Sequence, residues 1–414
     1  MSAPPKHDRE RVDLLQAKTR GLLDYCRRED WSGYDPYDAL NSAIFQAAPF
    51  LNSRIPRLIF TQALKRSPIN LRGWLHIPKT QNPKALALFL SALLKLSRIE
   101  PGQHEESIGK MVERLVGLRS EGVGYWCWGY SFPWQGRNVV VPRGAPNLVC
   151  TTFVAGALLD FYEQTGEARH LEMAASSAEY ILNELYWQDD RSAAAGFSYP
   201  LRSLKAEIHN ANFLAAALLC RVYKLTGEAK FVAPALRAAR YSAAKQLNDG
   251  SWYYGEAATQ RWIDNFHTGY NLSALGQIDQ YLESGEFEPR IQRGFEFYKT
   301  HFFREDGAAR YFHDRTYPID VHAVAQSILT LLEFKRLDAG AVARAGSVFD
   351  WAMKHMWDER GFFYYRVLRS CTIRTSYMRW SQAWMLLALS TLLDEWKLSG
   401  ERLPAQEPAA LARV

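Results

Sequence analysis

The chain lacks most features that assign a sequence to a class on sight. Its five cysteines, Cys26, Cys127, Cys150, Cys220 and Cys371, are scattered, odd in number and free of any Cys-x-x-Cys pair. That pattern excludes a disulfide framework and fits a reducing compartment. No Lys/Arg block stands out, and the net charge is only +6, so nucleic acid is not an expected partner. No apolar run reaches the ~18 residues that a membrane span needs. Met1 to Lys6 runs into charged residues with no apolar leader, so the expected location is cytoplasmic. No Asp-x-Asp-Asp acid motif occurs.

What the chain does have is repetition. Thr165-Gly166-Glu167, Thr226-Gly227-Glu228 and Ser284-Gly285-Glu286 break helical runs at intervals of 61 and 58 residues. Leu337 to Gly340 is a degenerate fourth break. Aromatic turns keep the same beat, beginning at Gly124, Gly196, Gly250, Gly307 and Gly361. A period of this length means stacked helix hairpins, each leaning on its neighbours to bury its apolar stripe.

Helices apolar on nearly all faces are expected to start near Pro83, Leu148, Asn210, Asn265, Val321 and Met378. These are inner helices. Amphipathic stretches follow: Ile108 to Leu118, Ala174 to Leu185, Ala235 to Leu247, Ile291 to Phe302 and Ala343 to Met356. The sixth inner helix has no such successor, and Val12 to Cys26 supplies the missing outer partner. The expected fold is an all-α (α/α)6 toroid spanning residues 9–398, with frayed ends at 1–8 and 399–414. Trp31 to Ile77 reads as an irregular segment with one helix over Ile59 to Leu64.

In such a ring the inner helices share a direction, so their amino-terminal ends surround one mouth. Unpaired N–H groups there favour polar and anionic ligands. Registering the repeats on Ile208-His209, Ile263-Asp264 and Ile319-Asp320 brings His209, Asp264, Asp320, Tyr377 and Asn147 to that opening. Asn210, Asn265, His267, His322, Arg379 and Trp380 stand beside them. The aromatic turns add Trp126, Trp128, Trp134, Tyr254 and Trp262, with Glu256 on the same loop. The chain holds 13 Trp and 21 Tyr, enough to line a cleft as well as fill a core. Rings that stack on C–H faces and planar groups that bind hydroxyls in pairs suit a sugar or oligosaccharide, and the positive charge allows an acidic one. Blander roles compete: Asp264 and Asp320 as helix N-caps, the histidines as satisfied core residues, Glu256 as a surface partner of Arg261. Arg379 on an apolar helix requires an anionic or carbonyl partner.

The chain resembles the six-hairpin glycosidase superfamily of (α/α)6 toroids over roughly residues 10–398. Asp249 to Glu256, Trp262 to Asn271, Tyr377 to Trp384 and Cys127 to Gln135 are similar to segments of bacterial proteins encoded in exopolysaccharide clusters. The resemblance implies carbohydrate chemistry, and no catalytic residue is taken over from it. A hydrolase needs two carboxyls ~6.5–9.5 Å apart, for which Asp264, Asp320 and Glu256 are the candidates. A sugar epimerase would carry protons on histidine, with His209 and His267 or His322 in that role. A glycan-binding protein without turnover would use the same bowl. An isoprenoid cyclase is suggested by Gln246-x-x-x-Gly250-x-Trp252, which occurs once. Zinc chemistry has little support: Asp320-Val321-His322 is the only short cluster of ligand types, and residues two apart on a helix diverge. No cofactor or metal is expected, and the sequence leaves partner proteins open.

Overall fold

The computed structural model describes residues 6–136, 139–189 and 191–401. In chain order the helices are α1 (Lys6–Arg28), α2 (Ala43–Gln46), α3 (Arg54–Arg66), α4 (Pro83–Ile99), α5 (Glu105–Gly117), α6 (Leu148–Thr165), α7 (Ala168–Tyr180), α8 (His209–Thr226), α9 (Val232–Ala244), α10 (Asn265–Leu282), α11 (Glu288–His301), α12 (Val321–Glu333), α13 (Ala341–Met356) and α14 (Trp384–Glu401). Helices α4, α6, α8, α10, α12 and α14 pack in sequence, and α14 returns to α4. Each inner helix carries the following outer one, α5, α7, α9, α11 or α13, and α1 packs on α14. The fold is an (α/α)6 toroid closed by the amino-terminal helix. Within the described residues, α1 reaches back to Lys6 and α14 continues to Glu401; residues 1–5 and 402–414 lie outside them. No described helix is long and apolar enough to cross a membrane.

Local chemistry sets the two ends of each hairpin. Where α6 and α8 stop, Gly166 and Gly227 take the left-handed conformation at φ +75° and +76°, and the carbonyl of Tyr162 or Tyr223 accepts the glycine N–H. Glycine does this without a Cβ penalty, so the chain reverses at once into the outer helix. The aromatic turns work differently. A Cβ on Gly250 would meet the Arg293 carbonyl at 2.4 Å, one on Gly307 the Ser347 carbonyl at 2.5 Å, and one on Gly361 the Gly21 carbonyl at 2.7 Å. Each turn therefore presses its glycine against the next outer helix, and Gly361 against α1 makes the final stitch.

The Gln246-x-x-x-Gly250-x-Trp252 motif belongs to that stitching. Gln246 Nε2 donates to the carbonyls of Gly250 and Arg290, each at 2.9 Å. Trp252 Nε1 donates to the Ser242 carbonyl at 3.1 Å. It clasps two hairpins together.

Inner-to-outer connections are short and lie at one end. The long outer-to-inner connections, 118–147, 181–208, 245–264, 302–320 and 357–377, lie at the other end, with short antiparallel strand pairs. The 31–77 segment, containing α2 and α3, folds across this end. Two buried ion pairs hold it: Asp38 with Arg72 inside the segment, and Asp35 with Arg379 on the sixth inner hairpin.

Candidate active site

The residues just before the inner helices are Asn82, Asn147, Ile208, Asp264, Asp320 and Tyr377. Four of them cap their helix through the side chain, accepting from the backbone N–H of Lys84, Cys150, His267 and His322 respectively. This corrects one register. His209 is the first residue of α8, so the partner of Asp264 is Ile208. One residue turns a side chain by about 100° on an α-helix, and His209 consequently faces outward. Its Nδ1 lies 3.2 Å from Ser242 Oγ on α9 and its Nε2 2.9 Å from Glu256 Oε1. Asn265, the first residue of α10, does the same, bonding Ser327 and the Tyr298 hydroxyl of α11.

The second residues of the helices form the axial cluster. They include Lys84, Asn210, Phe266, His322 and, on the π-helical turn Met378–Ala383 that begins the sixth hairpin, Arg379. Phe266 and His322 stack at 4.5 Å with 14° between planes. His322 also stacks on Trp384 at 4.5 Å, and its Nε2 shares a 2.5 Å hydrogen bond with the Tyr270 hydroxyl. Burial, then the charges of Lys84, Arg379 and His267, holds the His322 imidazole well below its usual range, so it is neutral. Burial pushes the Tyr270 hydroxyl well up, so it keeps its proton. The Lys84 side chain ends 3.9 Å from the Phe153 ring, 5.3 Å from Trp384 and 5.5 Å from Tyr270. On the far side of these three rings, toward the helix carboxyl ends, lies a cavity of about 550 Å³ that includes Lys95, Asp160, Arg221 and Glu333 in its lining.

His267, on the third position of α10, has a defined arrangement. Its Nδ1 lies 2.8 Å from Asp264 Oδ2, which also accepts from Trp262 Nε1 at 2.8 Å; Asp264 Oδ1 accepts from the His267 backbone N–H at 3.0 Å. The Asp264 carboxylate is only 2% exposed and fixes the ring with Nδ1 protonated. Nε2 has no partner among the described residues, and the side chain is 21% exposed. Tyr254 and Trp262 stack at 4.5 Å and 14°, and Tyr254 packs on the His267 ring at 4.5 Å. A carboxylate-held histidine against an aromatic platform is suited to moving a proton at a sugar carbon or oxygen.

The other candidate carboxylates are committed elsewhere. Asp320 is fully buried. Its Oδ1 accepts from His322 N–H at 2.9 Å and Trp380 Nε1 at 2.8 Å, while Oδ2 accepts from Arg366 Nε and Nη2 at 2.9 and 2.6 Å. Glu256 lies by the outer helix α9, bonded to His209 and paired with Lys245 at 3.6 Å. The His209 hydrogen bond comes first among the causes that hold its carboxyl below the usual range, which keeps it ionised. Among the described residues it is committed to His209 and Lys245, with no bond to the Asp264–His267 pair, and is a poor proton donor.

The remaining sequence candidates divide. Trp380 joins the basin, its ring 4.7 Å from His322 and 5.7 Å from Phe266. Arg379 is buried, donates twice to Asp35 at 2.7 and 2.8 Å, and lies over Tyr130 at 4.8 Å. Trp134 packs at 6.4 Å on Tyr130. Asn210 is 4% exposed, and its Oδ1 has no partner among the described residues. Three expected liners are not at the mouth. Trp128 is fully buried, with Nε1 donating to the Leu115 carbonyl at 2.7 Å. Trp126 lies toward α7, its N–H bonded to Ser176 and Arg119 at 4.7 Å over its ring. Tyr377 is fully buried against Arg72, 4.7 Å from its ring, and Tyr365. Sequence reasoning missed Lys84, Asp35 and Arg366, and with them Tyr37, 5.6 Å from the Trp380 ring, and Tyr311, 5.5 Å from Phe266. Lys84 had a signal, as the one charge in the first turns of an otherwise apolar helix. The loop tyrosines had none, since only folding brings them together.

No protein-family model matches the sequence, and no curated protein matches it. Solved structures do. A cellobiose 2-epimerase from Bacillus thermoamylovorans superposes with a TM-score of 0.58 at 13% identity, covering 76% of this chain and 88% of that one. An α-mannanase of glycoside hydrolase family 76 from Bacteroides thetaiotaomicron gives 0.61 at 10% identity, covering 78% and 90%. A possible member of family 105 from Salmonella enterica gives 0.56 at 12% identity, covering 96% and 100%. Likeness at this identity is a likeness of backbone, and it shows that the chain has the six-hairpin, glycosidase-like (α/α)6 toroid fold.

Proposed function

We propose that the protein is a sugar-converting enzyme of epimerase or isomerase type, with His267 as the proton carrier and Asp264 as the residue that orients it. One observation carries this reading. Asp264 and Asp320 are both buried caps whose oxygens are already hydrogen-bonded, whereas His267 Nε2 has no partner among the described residues. An inverting hydrolase needs one carboxyl able to give a proton and one able to activate water; Asp320 has all four acceptor positions filled and Asp264 three of its four, and both are buried. Proton transfer by an oriented imidazole needs only Nε2. The Tyr270–His322 pair, with the Tyr270 ring 6.0 Å from that of His267 one turn along α10, supplies a second proton-bearing group. The structural likeness to a cellobiose 2-epimerase and to a D-mannose isomerase supports the same chemistry, although the mannanase likeness shows that the fold hosts hydrolysis too.

The test is incubation with candidate sugars in D2O. Deuterium entering at one sugar carbon, without cleavage of any glycosidic bond and lost in His267→Asn, is the expected result. Release of a reducing end without deuterium incorporation refutes the reading in favour of hydrolysis. Binding with neither outcome refutes it in favour of a glycan-binding role.

A further inference from the structure

Among the described residues, Lys84, Arg366, Arg379 and, 5.7 Å from the Trp380 ring, Lys65 approach the basin, and the two arginines are neutralised. Arg366 is paired with Asp320, and Arg379 with Asp35. Lys84 is 3% exposed, and its ammonium has no hydrogen-bond or ion-pair partner among the described residues. Its surroundings are three aromatic rings, the neutral His322 and the Tyr270 hydroxyl, with the Arg379 charge near enough to be felt. We propose that Lys84 holds an anionic substituent, a carboxylate or a phosphate, of the sugar that this basin takes.

The inference rests on the sugar reading of the site and adds the charge of the substrate. A buried, unpaired ammonium opposes folding, and a thioether or leucine at the same place would not. The helix gives no local reason for it: Ala85, Leu86, Ala87, Leu88, Phe89 and Leu90 follow without another charge. A residue that costs stability and has no structural partner is the kind retained for a ligand. The rings crowd the ammonium without satisfying its donors, because cation–π contact leaves N–H groups free to bond an anion. Lys84 sits at the start of α4, where the helix dipole also favours negative charge. Burial and then the Arg379 charge hold the Lys84 ammonium below its usual range, with Cys150 and Asp35 acting the other way. An arriving anion reverses that balance, so its binding draws a proton from solvent onto Nζ.

Calorimetric titration of D-glucuronate, glucose 6-phosphate and glucose into the wild-type protein and Lys84→Met, in two buffers of different ionisation enthalpy, tests this. The wild type is expected to bind at least one anionic sugar ~10-fold or more tightly than glucose, with net proton uptake. The two anions distinguish carboxylate from phosphate. Lys84→Met should lose both the preference and the proton uptake while melting at a higher temperature. Lys84→Arg keeps the charge and should keep the preference. Equal affinity for glucose and both anions, or a preference that survives in Lys84→Met, overturns the proposal and leaves the epimerase reading standing. Failure of every sugar to bind removes both.

Discussion

Replacing Asp264 with Asn separates the two things this residue does. Asn caps helices as well as Asp does, so the bond to the His267 backbone N–H survives. Oδ2 is where the change falls. It accepts from Trp262 Nε1 and His267 Nδ1, each at 2.8 Å, and an amide nitrogen there can accept from neither. Hydrogen bonds to a charged acceptor are worth ~1.5–3 kcal/mol each. His267 recovers part of one by changing tautomer and accepting from the new amide. The expected loss of stability is therefore ~2–3 kcal/mol, read from urea denaturation. The tautomer change has a second effect: Nε2 becomes a donor and can no longer take a proton. The turnover number should fall by ~10²–10⁴, with KM little altered because the carboxylate is buried beneath the ring. His267→Asn should lose as much, and the double variant little more, since the two act as a unit. The assay is deuterium incorporation into the sugar, followed by NMR on protein shown to be folded. A folded Asp264→Asn enzyme that retains turnover within ~3-fold of wild type refutes the dyad.

Asp320→Asn should behave differently, as a structural lesion. It strands the Arg366 guanidinium, and breaking a buried pair from one side costs ~3–5 kcal/mol, measurable by chemical denaturation. The folded fraction should retain more exchange activity than Asp264→Asn. Gly250→Ala adds a Cβ 2.4 Å from the Arg293 carbonyl at a φ of +93°; a loss of ~1–3 kcal/mol is expected from the strained backbone and forced contact. Stability should also fall with acid. The folded-state pKa of His322 lies below its usual 6.5, so the unfolded chain binds the proton first. The contribution of the neutral ring is full above pH ~6.5 and is lost as pH falls through that value toward the folded pKa. Melting curves from pH 8 to pH 5 should show a smaller drop for His322→Phe than for wild type.

The sequence by itself determined the toroid. Helix periodicity identified six inner and six outer helices, and the absence of an outer partner after α14 pointed to α1, because an unpaired apolar stripe requires a cover. It also brought Asp264 and Asp320 to the mouth as candidate catalytic carboxylates, with helix capping as their competing role. The roles at the mouth were decided by tertiary structure. A shift of one residue at the start of α8 turned His209 from the basin to the outer ring, and no periodic signal is fine enough to fix a helix start to one residue. Whether a carboxylate is free or spent depends on partners far away in sequence: Arg366 and Trp380 for Asp320, Trp262 and His267 for Asp264. Arg379 demanded a counter-ion on physical grounds, but that Asp35 supplies it, from a segment lying across the other end of the chain, is a consequence of ring closure alone. Lys84 stood in plain view as the one charge in the first turns of an apolar helix. Its meaning came from the three rings around it, which converge from α6, α10 and the sixth hairpin only when the circle is complete.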